Sequence, residues 1–498
     1  MTTAKPNIVL IMTDQQRADF FASEGFPVDT MPFVEALGRT GMRFKRAYTP
    51  MPTCTPARSS MLTGRFPKAS RVKQNWSPAE SITFSKDMPG MFRDAGYTFN
   101  IAGKNHSYLD AGAFDFHGGP YSHTNGPPDR ADARETAFDQ WLFDLDHSVA
   151  KQATPFPLES QLCHRIVSDA IACVDQNRET PFFLWLSLPE PHNPYQAPEP
   201  YYSMFSPEQM PDRIGSPQSS VARGGHWQWL QHLFEDKRPG YDAEWRKYRA
   251  VYAGMLRMID DQVARFVDHL KAVGQYHNTI LIFLSDHGDY AGDHGLQRKG
   301  AGLPECLVRV PLIIAGPGIR PSVNETDFVS LVDIFPTLCE ALGQDIPFGV
   351  QGRSLWPMLT GASYPEDEFA SIYAELGIGS LPYGADERPE LHFPYDGPVI
   401  DELNSVTQSG NLKMVRKGRW KLLFDVLGTG QLYDLNADPG ELDNLYGRPE
   451  HARVQMDMLQ TLVTWCIRTE DSLPRAKYLP KVALHGWYSP MHGHPSTP

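Results

Sequence analysis

Short apolar runs that stop abruptly at polar residues alternate along this chain with longer stretches of helical periodicity. The first run, Asn7-Ile8-Val9-Leu10-Ile11-Met12, ends in Thr13-Asp14-Gln15-Gln16-Arg17. A continuous β-branched run of this kind reads as a strand buried on both faces, with a polar loop at its carboxyl end. Residues 31–40 predict a helix, 44–48 a short extended piece, and 88–95 a second helix. A strand over 97–102 then runs into Gly103-Lys104-Asn105-His106. Residues 181–188 repeat the pattern and end in Pro189-Glu190-Pro191-His192-Asn193-Pro194-Tyr195, where proline on both sides of His192 fixes the local backbone. The strongest buried strand, 279–284, ends in Ser285-Asp286-His287-Gly288-Asp289, with Lys299 close behind.

Helical spacing covers 158–174, 242–273, 328–342 and 354–359, and 310–315 predicts a further strand. This alternation predicts an α/β fold with a large, mostly parallel central sheet flanked by helices. Beyond residue 376 a Pro- and Gly-rich span gives way to short alternating runs at 413–416, 420–424 and 431–434, then to a helix over 451–468. These predict a smaller C-terminal antiparallel sheet with a packing helix. The expected division is therefore a large α/β domain over 1–375, a subdomain over 376–472 and a tail over 473–498. That tail is either disordered or an arm that docks on a neighbouring subunit, giving a homo-oligomer. Residues 117–129 lack periodicity and read as a long ordered loop over a site. Residues 196–240 read as irregular, and their Trp227 and Trp229 either line an entrance or plug a peripheral gap.

With 498 residues and 41% hydrophobic content the chain can bury a large core. Its formal charge of -13 argues against general binding to nucleic acid or anionic membrane, so an anionic ligand has to be drawn by local cations. No run reaches membrane-spanning length, and the first apolar run is too short for a signal-peptide core. The six cysteines lack paired metal spacing, which points to a reducing, cytoplasmic compartment.

The chemistry concentrates around residues 51–65, Met-Pro-Thr-Cys-Thr-Pro-Ala-Arg-Ser-Ser-Met-Leu-Thr-Gly-Arg. Pro56 and the later Gly64 bracket a short helix, so Cys54 falls at a helix N-terminus, where free N–H groups, the helix dipole and Arg58 favour an anion. Taken alone, Cys54 could equally be a small buried hydrophobe. Asp14, closing a strand, is either a metal ligand or a turn residue. Four buried strands nevertheless end in polar residues, at Asp14-Gln15, Lys104/His106, His192 and Asp286/His287. With Cys54, Arg58 and Lys299 they describe one pocket at the carboxyl edge of a sheet.

Those residues resemble the type I, formylglycine-dependent sulfatases of the alkaline phosphatase superfamily. The likeness is carried by Cys54-Thr55-Pro56-Ala57-Arg58 with Leu62-Thr63-Gly64-Arg65, by Ser285-Asp286-His287-Gly288-Asp289, by Arg309-Val310-Pro311-Leu312 and by Val332-Asp333-Ile334-Phe335-Pro336-Thr337. It continues through Gln351-Gly352-Arg353-Ser354-Leu355 to Leu432-Tyr433-Asp434-Leu435 and covers roughly residues 5–446. It implies that a formylglycine-generating enzyme oxidises Cys54 to formylglycine (3-oxoalanine) during maturation, and that the hydrated aldehyde is the nucleophile forming a covalent sulfate ester. It further implies one divalent metal, calcium first, held by Asp14, Gln15, residue 54, Asp286 and His287. Gln15 stands where the family usually has a second Asp, and His287 where many relatives have Asn, which keeps manganese and magnesium as alternatives. Arg58 and Lys104 would hold the nucleophile, His192 and Lys299 would assist the leaving alcohol, and His106 would take the proton that releases sulfate. Asn75, His117 and Trp227 are the expected contacts to the rest of an aryl, small carbohydrate or other organic sulfate ester. Two alternatives stand beside this. One is a phosphonate monoester or phosphodiester hydrolase with the same core, whose members tend to carry the Asp-Gln pair but lack the Lys and His seen at Lys104 and His106. The other is a non-catalytic anion-binding relative.

Overall fold

In the computed structural model, which describes residues 5–75, 86–119, 132–145, 148–379, 381–384, 386–387 and 403–470, the first apolar run is strand β1 (Asn7–Thr13), buried along its whole length. The later strands of this part are β2 (Met42–Phe44), β3 (Ala47–Tyr48), β4 (Thr98–Gly103), β5 (Phe116–Gly118), β6 (Phe182–Ser187), β7 (Thr279–Ser285), β8 (Leu312–Ala315), β9 (Ser322–Asn324) and β10 (Val329–Ser330). Eight of them form one sheet in the order β5-β4-β6-β1-β7-β8-β2-β9, and β3 pairs with β10 apart from it. Every pairing in the large sheet is parallel except those of β8 with β7 and β2. The mostly parallel sheet predicted from the alternation of strands and helices is thus present.

The period-two alternation of side chains explains why the strands are apolar throughout. On one face Ile8, Leu10 and Met12 pack with Phe183, Trp185, Ile282 and Leu284, and on the other Val9 and Ile11 pack with Leu184, Leu281 and Phe283. The second face is covered by helices Leu162–Gln176 and Trp245–Ala272. Each fully buried Leu, Ile or Phe contributes roughly 1.5–3 kcal/mol, so this double-sided core fixes the strand register rigidly. That register aligns the strand ends: Met12 lies opposite Ser187 and Thr13 opposite Ser285, so the chain leaves β1, β6 and β7 at one level.

The C-terminal sheet is also as expected in kind, with β11 (Ser371–Gly379), β12 (Gly410–Lys417), β13 (Trp420–Asp425) and β14 (Gly430–Asp434) antiparallel in sequence order. Helix Ala452–Arg468 packs Met458, Leu462 and Trp465 against Tyr373, Val415, Leu422 and Phe66. The opening strand starts at Ser371, before the change in composition at 376, because its apolar half resembles the preceding α/β pattern.

Three local readings are corrected. Residues 196–240 are not wholly irregular: helix Gly225–Lys237 forms there because Trp227, Leu230 and Phe234, at helical spacing, bury against Tyr290, Leu296 and Leu307. Residues 328–342 do not form one helix. The strand β10 and a 3-10 turn come first, and a reciprocal cap between Ser330 and Asp333 precedes helix Ile334–Ala341. His117 lies in β5, at the sheet edge, because Phe116–Gly118 pairs with Asn100–Ala102 instead of continuing as loop. The expected loop beyond Gly119 and the tail over 473–498 fall outside the described residues. Among the described residues no helix is long and apolar enough to cross a membrane.

Candidate active site

Helix Cys54–Thr63 follows an extended Thr53 and closes on Gly64, whose left-handed φ of 65° lets its N–H reach Ser60 O. A Cβ at Gly64 would lie 2.8 Å from a methyl of Val350, so both conformation and space require glycine. All ten helix residues are buried, and Cys54 is 1% exposed. The Thr55 N–H, one of the free donors of the first turn, is taken by Asn75 Oδ1 at 3.0 Å.

Two strand ends deliver donor atoms to Cys54. Its Sγ lies 3.4 Å from His287 Nε2 and 3.8 Å from Asp14 Oδ1, and His287 Nε2 lies 3.7 Å from Asp286 Oδ1. One ligand atom from each of Asp14, Cys54, Asp286 and His287 falls within 4.8 Å of all the others, and all four residues are buried. His287 Nδ1 is 2.9 Å from Gly288 O. A carbonyl oxygen only accepts, so Nδ1 carries the hydrogen and Nε2 turns its lone pair into the cluster. Two carboxylates and an imidazole lone pair facing one another form a donor set that fits a divalent cation. Sγ of Cys54 marks the place of an oxygen if that side chain is oxidised.

The outer carboxylate oxygens are neutralised from behind. Arg58 Nη2 donates to Asp14 Oδ2 at 3.0 Å and Nε to Asp286 Oδ2 at 2.9 Å, and Lys104 Nζ lies 2.7 Å from Asp14 Oδ2. The remaining Arg58 donor, Nη1, bonds Ser187 Oγ at 2.8 Å and Lys104 O at 3.0 Å, locking the guanidinium to the end of β6. Burial alone would raise the Asp14 carboxyl, but Lys104, His192 and Arg58 outweigh it and hold Asp14 well below the usual carboxylate range. His106 shifts the other way: burial first, then Lys104 and Arg58, push its imidazole well below its ordinary value, so it is neutral near pH 7.

Gln15 links this cluster to a second group. Its Nε2 donates to Asp289 Oδ2 at 2.6 Å and to Tyr195 Oη at 3.0 Å, so its Oε1 must point away, and there it accepts from Lys299 Nζ at 2.9 Å. Asp289 is in turn held by the hydroxyls of Tyr195 (2.7 Å) and Tyr248 (2.5 Å) and by two backbone N–H groups. Lys299 Nζ also lies 3.2 Å from His192 Nε2, and His192 Nδ1 donates to Asn193 O at 2.7 Å. The amide oxygen expected to ligate a metal is therefore engaged by an ammonium, with one lone pair left over.

The structure thus brings Asp14, Cys54, Arg58, Lys104, Asp286 and His287 into contact and joins Gln15, Lys299 and His192 in a chain beside them. His106 feels the same charges, and Asn75 sits on the residue after Cys54. Trp227, only 5% exposed, packs edge-on to Tyr290 and His294, and a Cβ on Gly302 would lie 2.5 Å from its ring. Of its two readings, the plug fits this packing. His117, in the edge strand β5, lies 5.7 Å from Phe114 ring to ring, with β4 and β6 between its strand and β1. Ser187, Asp289, Tyr195 and Tyr248 were not singled out by the sequence. The first three stand in strand-end segments that mark the site, whereas Tyr248 gives no signal beyond helical periodicity.

The sequence model of the sulfatase family matches residues 6–344. The multifunctional alkaline phosphatase superfamily protein PehA of Trinickia caryophylli is 28% identical, over 94% of this chain and 96% of that protein. An arylsulfatase of Clostridium perfringens is 27% identical, over 92% and 94%. Among solved structures, the phosphonate monoester hydrolase of Agrobacterium radiobacter superposes with a TM-score of 0.76 at 25% identity, covering 96% of this chain and 98% of that one.

Proposed function

Because the chain belongs to the sulfatase family, and so is a sulfuric ester hydrolase of the alkaline phosphatase superfamily, we propose that it hydrolyses the sulfate ester of an aryl, small carbohydrate or other organic alcohol, with residue 54 as nucleophile after oxidation of Cys54 to formylglycine. The observation that carries this reading is the convergence of Cys54 with Asp14, Asp286 and His287, backed by Arg58 and Lys104. Asp14, Asp286, His287 and residue 54 would hold a divalent cation, calcium first, which would supply positive charge against the sulfate oxygens. Gln15, its Oε1 bonded to Lys299, would join them through its remaining lone pair.

The chain's own residues do the rest. Arg58 and Lys104 hold Asp14 ionised beside residue 54, which stands at the positive end of its helix dipole. His106, kept neutral by burial and by neighbouring cations, accepts a proton from a hydroxyl of residue 54. The Lys299 ammonium, which donates to His192 Nε2 at 3.2 Å and is oriented by it, delivers a proton to the departing alcohol oxygen. A formylglycine-generating enzyme is the maturation partner of this reading, and the six free thiols suit a reducing compartment such as the cytoplasm.

A second reading, hydrolysis of phosphonate monoesters or phosphodiesters, draws on Gln15 and on the likeness to the Agrobacterium enzyme. Lys104 and His106 favour the sulfate ester. The test is a panel of aryl, carbohydrate, choline and alkyl sulfates against a phosphonate monoester, on protein whose residue 54 peptide shows the loss of about 18 Da that marks thiol-to-aldehyde conversion. The expected result is the higher kcat/KM on a sulfate. A higher value on the phosphonate reverses the order, and an unmodified thiol in the native host points to a non-catalytic anion binder.

A further inference from the structure

Where the small sheet meets the large one, a cavity of about 530 Å³ is lined by residues between β2 and β3, by the turn after β7 and by β12. That volume suits a small organic molecule. None of Asp14, Cys54, Arg58, Lys104, Asp286 and His287 lines it. Cys306 and Arg17, which do, hold the backbone of the turn that follows His287: Cys306 O accepts the Asp289 N–H at 3.1 Å, and Arg17 Nη1 donates to Tyr290 O at 2.8 Å. The cavity is a separate space behind that turn, not the mouth of the Cys54 site.

The six carboxylates of its lining are matched one to one by cations, and one cation is left over. Asp19 lies 2.7 Å from Arg17, Glu24 2.9 Å from Arg309, Glu325 2.6 Å from Lys45 and Glu441 2.8 Å from Lys421. Asp293 pairs with Arg249, and Glu305 with Arg416 at 2.5 Å. Arg46 remains: its Nη1 donates to Thr326 O at 3.1 Å, and among the described residues it forms no ion pair. Its guanidinium stands 4.9 Å from the centroid of the Phe328 ring, and that of Arg416 stands over the same ring at 5.4 Å. Two cations on one ring repel each other. Two polar atoms of the lining, Arg416 Nε and His294 Nδ1, are moreover buried without a hydrogen-bond partner. An oxyanion set against Arg46 and Arg416 relieves the repulsion and gives Nε an acceptor. A single negative charge is enough, because a second would face the six carboxylates with no spare cation to offset it. Ile214, Leu435 and Pro439 add apolar wall for a compact body.

We propose that this cavity binds a small organic monoanion, a carboxylate or sulfate monoester on an apolar body, through Arg46 and Arg416. Arg46 belongs to the large α/β part and Arg416 to β12, so the bound anion also clasps the two sheets together. The site stands apart from the sulfatase reading and is tested without turnover.

Benzoate, phenyl sulfate and phenyl phosphate, the last mostly doubly charged at about pH 7.5, are titrated by calorimetry into Cys54→Ala protein, and thermal melting is followed beside it. Benzoate and phenyl sulfate are expected to bind with Kd below about 1 mM, and phenyl phosphate about fivefold more weakly or worse. Benzoate is also expected to raise the melting midpoint, since it binds only the docked, folded state. Arg46→Gln in the same background, its fold checked by circular dichroism, is expected to weaken benzoate about tenfold and to cancel the rise, whereas Arg46→Lys keeps part of both. Binding that is insensitive to Arg46→Gln puts the anion elsewhere, the Cys54 site included, and overturns the proposal. So does the absence of binding by all three probes at about 10 mM, or tighter Arg46-dependent binding of phenyl phosphate than of benzoate.

Discussion

At the carboxyl ends of β1 and β7, Asp14, Asp286 and His287 turn donor atoms toward Cys54 and toward one another, whereas at the junction with the small sheet Glu305 turns both oxygens to fixed cations and hydroxyls. Glu305 accepts from Tyr48 at 2.8 Å, Arg416 at 2.5 Å and Lys421 at 3.0 Å, and Lys421 lies 2.8 Å from Glu441, whose other oxygen takes the Glu305 N–H at 2.8 Å. Burial would raise Glu305, yet Arg416 and Lys421 bring it down to about 2. Each carboxylate at the junction thus has a cation of the chain against it. In the Cys54 cluster Arg58 and Lys104 match the outer oxygens and two backbone N–H groups reach Asp286 Oδ1, while the donor atoms of Asp14, Cys54, Asp286 and His287 still face a common centre. A closed network ties two sheets together, whereas an open one of like donors is arranged to receive a cation.

The contrast breaks most visibly at its reactive member. Cys54→Ala is expected to lower sulfate ester turnover by about 10⁴-fold or more, with the circular dichroism spectrum unchanged. In the closed network the effect moves from rate to stability: Lys421→Met leaves Glu441 buried without its cation and Glu305 with Arg416 alone, and is expected to cost about 3 kcal/mol in urea unfolding, with kcat within about twofold of wild type. Between the two lies Asp289→Asn, which loosens the grip on Gln15 from behind. It is expected to weaken divalent-cation binding by about 10–100-fold, read by calorimetry with calcium, manganese and magnesium on the chelator-treated protein, with little change in urea midpoint.

The smallest effect is a pH response near the closed network. Burial, then Arg223, Arg17 and Lys421, hold His294 well below the ordinary imidazole value of 6.5. Below that pH the unfolded chain takes up a proton that the folded state refuses, so stability falls as pH falls. The urea midpoint is therefore expected to drop between about pH 7 and pH 5, and His294→Gln to make that drop shallower.

The way each cluster is assembled explains why one was legible in the sequence and the other was not. Asp14, Lys104, His192 and Asp286 each stand just beyond a run that must be a strand buried on both faces, and the parallel sheet then brings those ends to one edge. Glu305, Arg416 and Lys421 carry no such marker. They are ordinary charged residues, Glu305 more than a hundred positions from the other two, and only the docking of the small sheet joins them. Gln15 shows the limit within the site itself. Its position was legible, but the direction of its amide depends on Asp289, Tyr195 and Lys299, which three-dimensional packing alone brings to it. Helix Gly225–Lys237 was obscured by the glycines and prolines around it, although Trp227, Leu230 and Phe234 kept helical spacing.

The complete burial of helix Cys54–Thr63 sets an order of events in the life of the chain. Once β1 and β7 have paired and the helix is enclosed, no second enzyme can close around a side chain that is 1% exposed within ten buried residues. On the proposed reading, the enzyme that oxidises Cys54 has to meet it while the polypeptide is still open. Folding is then a one-way door, and a molecule that passes through it with its thiol intact is expected to be well formed and idle.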